Sequence, residues 1–353
     1  MSLPASISAR EQTLLDLFRR VEHQGAKLKI QGLGHRLSTP KSDEFCCQTY
    51  SLAPWDALLS YHPADLVVSV EAGMSVSVLN SILREHDQWI PLTVADGQDD
   101  SIGGALSAGV DGIWRGAYGP FRDRVLGVVV ATPGFGVIRT GGAVVKNVAG
   151  YNLPRLFLGS RGTLGVMTQV TLKVSPLFPE QQSWMWTDGM DRLIARARQL
   201  ISQARPWAAL LLVQDQNQGQ DPGRLWAAWH GAAIPNTVSL AVGGDAEEGG
   251  TLPRLCHPQT ALTWLTLRGA VPLNQIEALA SKWEDGPLAI ECQSGDFFGF
   301  LPLTATEPMV KWIRGCGGGV RVLEGPELST PPSVLEDYWT RLKKAYDPRG
   351  ILV

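Results

Sequence analysis

The sequence has little that would commit it to nucleic acid, to a membrane or to a metal. Its 31 Lys and Arg against 34 Asp and Glu leave a formal net charge of -3. The two signs are interspersed and no basic block occurs, so nothing concentrates a polyanion and no nucleic-acid partner is expected. No segment approaches the roughly 20 apolar residues that a membrane-spanning helix needs. Met1 to Arg10 has neither a basic stretch nor a long apolar one, which points to cytoplasmic residence. Five cysteines, Cys46, Cys47, Cys256, Cys292 and Cys316, form an odd set without C-x-x-C spacing. A disulfide framework, a zinc site and an iron-sulfur site are all disfavoured, and no metal site is expected. The adjacent Cys46 and Cys47 read as packing or loop residues rather than a redox centre. A reaction needing a metal cluster would draw it from another chain.

What is present is the balance of a globular protein, 44% hydrophobic and 18% charged over 353 residues, long enough for two cores. Ser8-Ala-Arg-Glu11 is a capping box, and Leu14, Leu15, Phe18 and Val21 follow at helical spacing. Strands are expected at Lys27 to Gln31 and Leu66 to Val70, and a helix opens at Ser75 with Val76, Leu79, Ile82 and Leu83 on one face. These make a first lobe over about residues 1–92. Residues 95–119 are crowded with glycine (Gly97, Gly103, Gly104, Gly109, Gly112, Gly116, Gly119), a density read as a backbone-contact region rather than a regular core element. Strands return at Val125 to Ala131, Gly136 to Arg139 and Val166 to Val174, completing a second lobe to about residue 178.

Pro176 and Pro179 break this pattern, and a second domain is expected over 179–353, α+β with an antiparallel sheet. Its strands are placed at Ser183 to Thr187, Trp207 to Val213, Leu225 to Trp229, Ala261 to Leu267, Leu288 to Cys292 and Gly319 to Leu323. Helices are placed at Asp191 to Ala204, Asn274 to Trp283 and Pro308 to Arg314, with a closing helix at Ser333 to Tyr346. Gln214 to Gly223 and Gly243 to Leu252 read as surface loops. The many tryptophans, among them Trp184, Trp186, Trp226, Trp229, Trp264, Trp283, Trp312 and Trp339, fit either core packing or a subunit interface, packing being the better fit.

A pyrophosphate is held best by several backbone N–H groups converging without side-chain bulk. Lys29-Ile-Gln-Gly-Leu-Gly-His35 offers such a strand-to-loop transition, although Gly32-x-Gly34 lacks the third glycine of the dinucleotide fingerprint and reads equally as a tight turn. The run Asp99-Asp-Ser-Ile-Gly-Gly-Ala-Leu-Ser-Ala-Gly109 would let a flat ring lie against the main chain, and its interleaved Ile102, Leu106 and Val110 argue against a solvated linker. Lys146-Asn-Val-Ala-Gly-Tyr-Asn152 and Gly159-Ser-Arg-Gly-Thr-Leu-Gly-Val166, the latter entering a strand, complete the set.

The order of these segments, with Arg122-Asp-Arg-Val-Leu-Gly127 between them, resembles the FAD-binding domain of the vanillyl-alcohol-oxidase/PCMH superfamily. Within it, the wording of Lys146 to Asn152 and Arg122 to Gly127 is similar to the auxiliary FAD-binding subunit family of glycolate oxidase (glycolate dehydrogenase) in particular. Tyr346-Asp-Pro-Arg-Gly-Ile-Leu352 resembles the closing D-P-x-G-I-x of these proteins. The likeness covers about residues 25–176. It implies a two-lobed PCMH-type domain over 1–178 (lobes 1–92 and 93–178), followed by a smaller cap-like domain, with FAD as cofactor. By it, Gln31, Gly32, Leu33, Gly34 and His35 wrap the pyrophosphate. Ser101, Ile102, Gly103, Gly104, Ser107 and Gly109 line the flavin and ribityl chain, and Gly162, Leu164, Gly165 and Val166 meet the adenine side. His35 occupies the position where some members attach flavin covalently and many keep a free histidine, serine or threonine.

Hydroxy-acid dehydrogenases of this class carry a histidine-rich metal site in the second domain, whereas only His230 and His257 lie beyond residue 176 here. Arg122, Lys146, Tyr151 and Arg155 could bind a carboxylate but read better as structural charges, so no general base is named. The resemblance implies a FAD-binding subunit acting with a catalytic flavoprotein paralogue and an iron-sulfur subunit in oxidising glycolate to glyoxylate, held near the inner membrane face through its partners. A self-sufficient FAD-dependent oxidoreductase of a small hydroxy acid or sugar alcohol, and a scaffold that has lost its flavin, are the alternatives.

Overall fold

The computed structural model describes residues 7–34, 47–92, 99–109, 111–142, 153–203, 207–214, 223–232, 246–249, 264–283, 286–324 and 334–353. Its first helix, α1 (Ala9–His23), opens on the expected capping box: the Glu11 N–H donates to Ser8 Oγ at 3.2 Å, and the Ser8 N–H to Glu11 Oε2 at 2.8 Å. Then come β1 (Lys27–Gln31), β2 (Cys47–Ser51), β3 (Leu58–His62), β4 (Val67–Glu71), α2 (Val76–Arg84), β5 (Gln88–Trp89), α3 (Ile102–Ala108) and α4 (Arg115–Tyr118). The first half closes with β6 (Val125–Thr132), β7 (Gly136–Gly141), α5 (Pro154–Phe157), β8 (Val166–Lys173) and β9 (Ser175–Pro176). Strands β3, β4, β8, β6 and β7 form an antiparallel sheet in that order, while β1 and β2 pair in parallel beside it. Strands β2 and β3 show no clear alternation in sequence and were not expected there.

The glycine-dense run proves to be regular where it matters most. Ser101 caps α3, its hydroxyl accepting the Gly104 N–H at 3.1 Å, and Gly109 ends the helix at φ +68°. Glycine weakens a helix by about 0.5–1 kcal/mol against alanine. Close packing offsets that here, since a Cβ on Gly103 would lie 2.8 Å from Ala72 Cβ and 2.9 Å from the Ala72 carbonyl oxygen. Ile102, Ala105 and Leu106 drive the apolar side of the helix into the core with Val68, Val70, Leu79, Leu83, Phe157 and Leu164.

The second half contains β10 (Glu180–Asp188), α6 (Met190–Gln203), β11 (Ala209–Gln214), β12 (Gly223–Gly231), β13 (Glu247–Glu248), β14 (Trp264–Ala270), α7 (Ile276–Lys282), β15 (Leu288–Glu291), β16 (Asp296–Pro302), α8 (Leu303–Gly315), β17 (Gly319–Glu324) and α9 (Val334–Tyr346). Its strands form one antiparallel sheet in the order β13-β10-β12-β11-β15-β16-β14-β17. Strand β16 had no counterpart in the sequence expectations. Glu247 and Glu248 pair with β10 inside the segment read as a surface loop, whereas 215–222, 233–245, 250–263 and 325–333 lie outside the described residues. Alternation decides the two faces. Leu210 and Leu212 join α6, α7, α8 and Trp207 in one core; Leu211 and Val213 face Trp89, Ile113 and Trp114 of the first half. Trp184, Trp186, Trp207, Trp229 and Trp283 all belong to the helix-covered core, while Trp339 on α9 is exposed.

The chain then returns to its beginning. Leu342 and Tyr346 of α9 pack on the first-half core, and Leu352 pairs in parallel with Leu28 of β1. Among the described residues no helix is long and apolar enough to cross a membrane. The seating of α3 is open to test: Gly103→Ala is expected to lower unfolding stability by about 1–3 kcal/mol through overpacking against Ala72. Urea denaturation measures it, and an unchanged midpoint would contradict the close approach.

Candidate functional site

Strand β1 delivers Gln31 to Gly34 against the start of α3. A Cβ on Gly32 would run into Ser101 Oγ, and one on Gly34, at φ +86°, would run into the Gln31 side-chain amide. Among the described residues the N–H groups of Gly32, Leu33 and Gly34 have no protein acceptor. At its other end α3 meets the third glycine-dense stretch: the Gly159 N–H donates to the Leu106 carbonyl at 2.9 Å and the Arg161 N–H to the Ser107 carbonyl at 2.8 Å. Arg161 and Gly162 both take left-handed backbone, at φ 55° and 79°. Thr163 closes this turn on the Ser160 carbonyl, through N–H at 3.0 Å and Oγ1 at 2.6 Å. Three stretches far apart in sequence are thereby contiguous, with α3 as their common wall.

Within that wall the expected residues divide by exposure. Gln31, Gly32, Leu33, Gly34, Gly104, Ser107 and Gly162 are half-buried and Gly109 is exposed, so each offers surface to a ligand. Ser101, Gly103 and Gly165 are enclosed, and Ile102, Leu164 and Val166 are at most 1% exposed, so their side chains support the wall from behind. The N–H groups of Ile102 and Gly103 donate to the carbonyls of Met74 and Ala72 at 2.8 and 2.7 Å, and that of Gly104 to its own cap. The start of α3 therefore contributes shape, and free amide donors are found at Gly32 to Gly34. An anionic dinucleotide bridge fits this loop, which supplies N–H groups without side-chain bulk. His35, Lys146 and Tyr151 lie outside the described residues. Arg155 and Arg122 both point to Asp123, at 2.7 and 4.0 Å, on the surface.

A second group of side chains, unread in the sequence, lies where the two halves meet. Tyr118 Oη and His230 Nδ1 are 2.7 Å apart, ringed by Trp89 and Trp114, with Trp114 and His230 ring centroids 4.9 Å apart. Burial pushes the Tyr118 phenol up to about 12, against the pull of Arg124, and pushes His230 down to about 4. Both are neutral near pH 7, and the phenol can donate to the imidazole. Arg124 donates to Ser175 Oγ at 2.8 Å and to the Tyr118 carbonyl at 3.0 Å, and burial lowers its pKa. Nearby, Arg115 joins the halves through Asp296 at 2.8 Å. Burial raises the pKa of Glu291, which accepts the N–H groups of Leu210, Gln293 and Ser294. Tyr118 sits in the glycine-crowded stretch 95–119, but only tertiary contact with β12 sets it on His230. Among the described residues no three His, Cys, Asp or Glu side chains are grouped to hold a metal.

Because His230 titrates near 4 when folded and at 6.5 ordinarily, the unfolded chain takes up a proton in that window that the folded chain does not. Stability conferred by the neutral ring is thus present above about pH 6.5 and lost as pH falls toward 4. Melting temperature should drop across that window in the wild type and drop less in His230→Asn. Equal pH profiles for the two would rule out the buried neutral imidazole.

Residues 7–142 match the family model described as FAD binding domain. The chain is 33% identical over 168 residues to the glycolate oxidase subunit GlcE of Escherichia coli (strain K12), covering 47% of each. It is 38% identical over 116 residues to the mitochondrial D-lactate dehydrogenase [cytochrome] of Arabidopsis thaliana, covering 33% of this chain and 20% of that one. The aligned part therefore spans about half or less of these relatives' length. A solved structure of alkyldihydroxyacetonephosphate synthase superposes with a TM-score of 0.71 at 15% identity, over 98% of this chain and 75% of that one, and shows the shared fold. The loop that offers bare N–H groups lies inside the matched segment, so residues 7–142 are a FAD binding domain and the cofactor of the chain is FAD.

Proposed function

We propose that this chain is a FAD-dependent oxidoreductase subunit supporting oxidation of a small 2-hydroxy acid, glycolate to glyoxylate, and passing the electrons to a partner subunit. The observation that carries it is the meeting of Gly32 with Ser101 and of Leu106 and Ser107 with Gly159 and Arg161, which gathers three glycine-dense stretches on one wall. Relatives named for glycolate and D-lactate, both small 2-hydroxy acids, supply the substrate class. In this reading the amides of Gly32, Leu33 and Gly34 hold the pyrophosphate; Gly104, Ser107 and Gly109 flank the ribityl chain and flavin; Gly162 faces the adenine side. FAD, when bound, supplies the electron acceptor, and the protein's part is to hold and orient it and keep water away. Functionally the chain divides near residue 178, with α9 and the tail serving the first domain. A catalytic flavoprotein paralogue and an iron-sulfur subunit are the partners, and they bring the chain to the inner membrane face.

Purified protein is expected to be yellow, with bound FAD released on denaturation, and anaerobic glycolate should bleach it alone or with its partners present. Gly32→Val, which forces a branched side chain onto Ser101, should abolish FAD retention. A chain that carries no flavin and takes up no added FAD would sink the proposal.

A further inference from the structure

The last turn of α9 carries Lys343, whose ammonium donates to three oxygens: the Thr163 carbonyl at 2.6 Å, Asp347 Oδ2 at 2.7 Å and the Leu352 carbonyl at 2.7 Å. Its three N–H donors are thus all used. Asp347 is enclosed, and its carboxylate also accepts the N–H groups of Ile351 at 3.0 Å and Leu352 at 2.9 Å. The tail curled in this way lies along β1. The Leu28 N–H donates to the Ile351 carbonyl at 2.6 Å, the Val353 N–H donates to the Leu28 carbonyl at 3.1 Å, and Lys27 Nζ donates to the Gly350 carbonyl at 2.6 Å. One ammonium therefore ties together two pieces of the site: β1, which continues directly into Gln31 to Gly34, and the turn in which Thr163 follows Gly162.

We propose that Lys343 and Asp347 form a positioning clasp that fixes the pyrophosphate loop relative to the Gly162 turn, and thereby sets the affinity for FAD. This rests on the FAD site assigned above. The physical reason is that a dinucleotide must touch both pieces at once, so binding is strongest when their spacing is set beforehand. Charge-assisted hydrogen bonds in a water-poor setting hold that spacing better than apolar contacts, which are not directional. Lys343 acts on the ligand only through Thr163 and the tail.

The full-length chain serves for the test. FAD affinity of the deflavinated protein is read by quenching of flavin fluorescence, and apoprotein stability by its melting temperature. Lys343→Met is expected to weaken FAD binding by about tenfold or more. Leu342→Ala, which loosens the same helix on the same core, should lower the melting temperature while leaving the affinity within about twofold. Should Lys343→Met fail to fold, the decision passes to Lys343→Gln, which keeps an N–H donor and is expected to weaken FAD by about threefold or more. Wild-type affinity in the folded Lys343 variant, or equal loss of affinity in Leu342→Ala, would overturn the clasp. A wild-type chain that binds no FAD at all would instead remove the assignment on which the clasp rests.

Discussion

Helix α3 can approach its neighbours closely only because it is short of side chains on one flank, and the rest of the site follows from that approach. Gly103 lets the helix lie against the backbone at Ala72, where its first N–H groups find the carbonyls of Met74 and Ala72. Ser101 then stands where a Cβ on Gly32 would be, and the far end of the helix supplies the carbonyls of Leu106 and Ser107 to the Gly159 to Arg161 turn. A bulkier helix would hold these pieces apart. Glycine's cost in helical stability is offset by core contacts from Ile102, Ala105 and Leu106 on the same short segment.

Around this wall the charges are arranged to fasten long-range contacts. Glu11, enclosed at the start of α1, pairs with Arg139 of β7; Glu71 at the end of β4 receives Arg10; Arg115 crosses to Asp296 of the second half. Such pairs contribute modestly when exposed and are costly to break when buried. The junction between the halves is otherwise aromatic, with Trp89, Trp114 and Tyr118 against Trp226 and His230, and the two titratable groups there stay neutral because water is largely excluded.

Much of the site was legible in the order of residues. Each glycine-dense stretch stood out by composition, and Ser8 and Ser75 occupy helix caps that their neighbours announce, whereas the helix capped by Ser101 was hidden by the glycines that follow it. Less legible was the use each stretch is put to. Gly103 and Gly165 read as ligand-facing glycines, yet they face protein, because composition reports that a Cβ is missing without reporting what occupies the space. Tyr118 and His230 were missed for the same reason: they are 112 residues apart, and only the packing of α4 against β12 joins them.

The sequence by itself determined the local features: α1 with its capping box, the strands β6 and β8, the helical face of α2, the helix α6, and the places where glycine is dense. These depend on neighbours within a turn or a strand, and periodicity and capping chemistry encode them directly. Only the tertiary structure decided that α3 is a helix rather than an open contact loop, that β1 pairs with both β2 and the tail, and that α9 returns to the first half. Those outcomes turn on contacts between residues distant in the chain, such as Gly103 with Ala72 or Lys343 with Thr163, whose energies no local pattern contains.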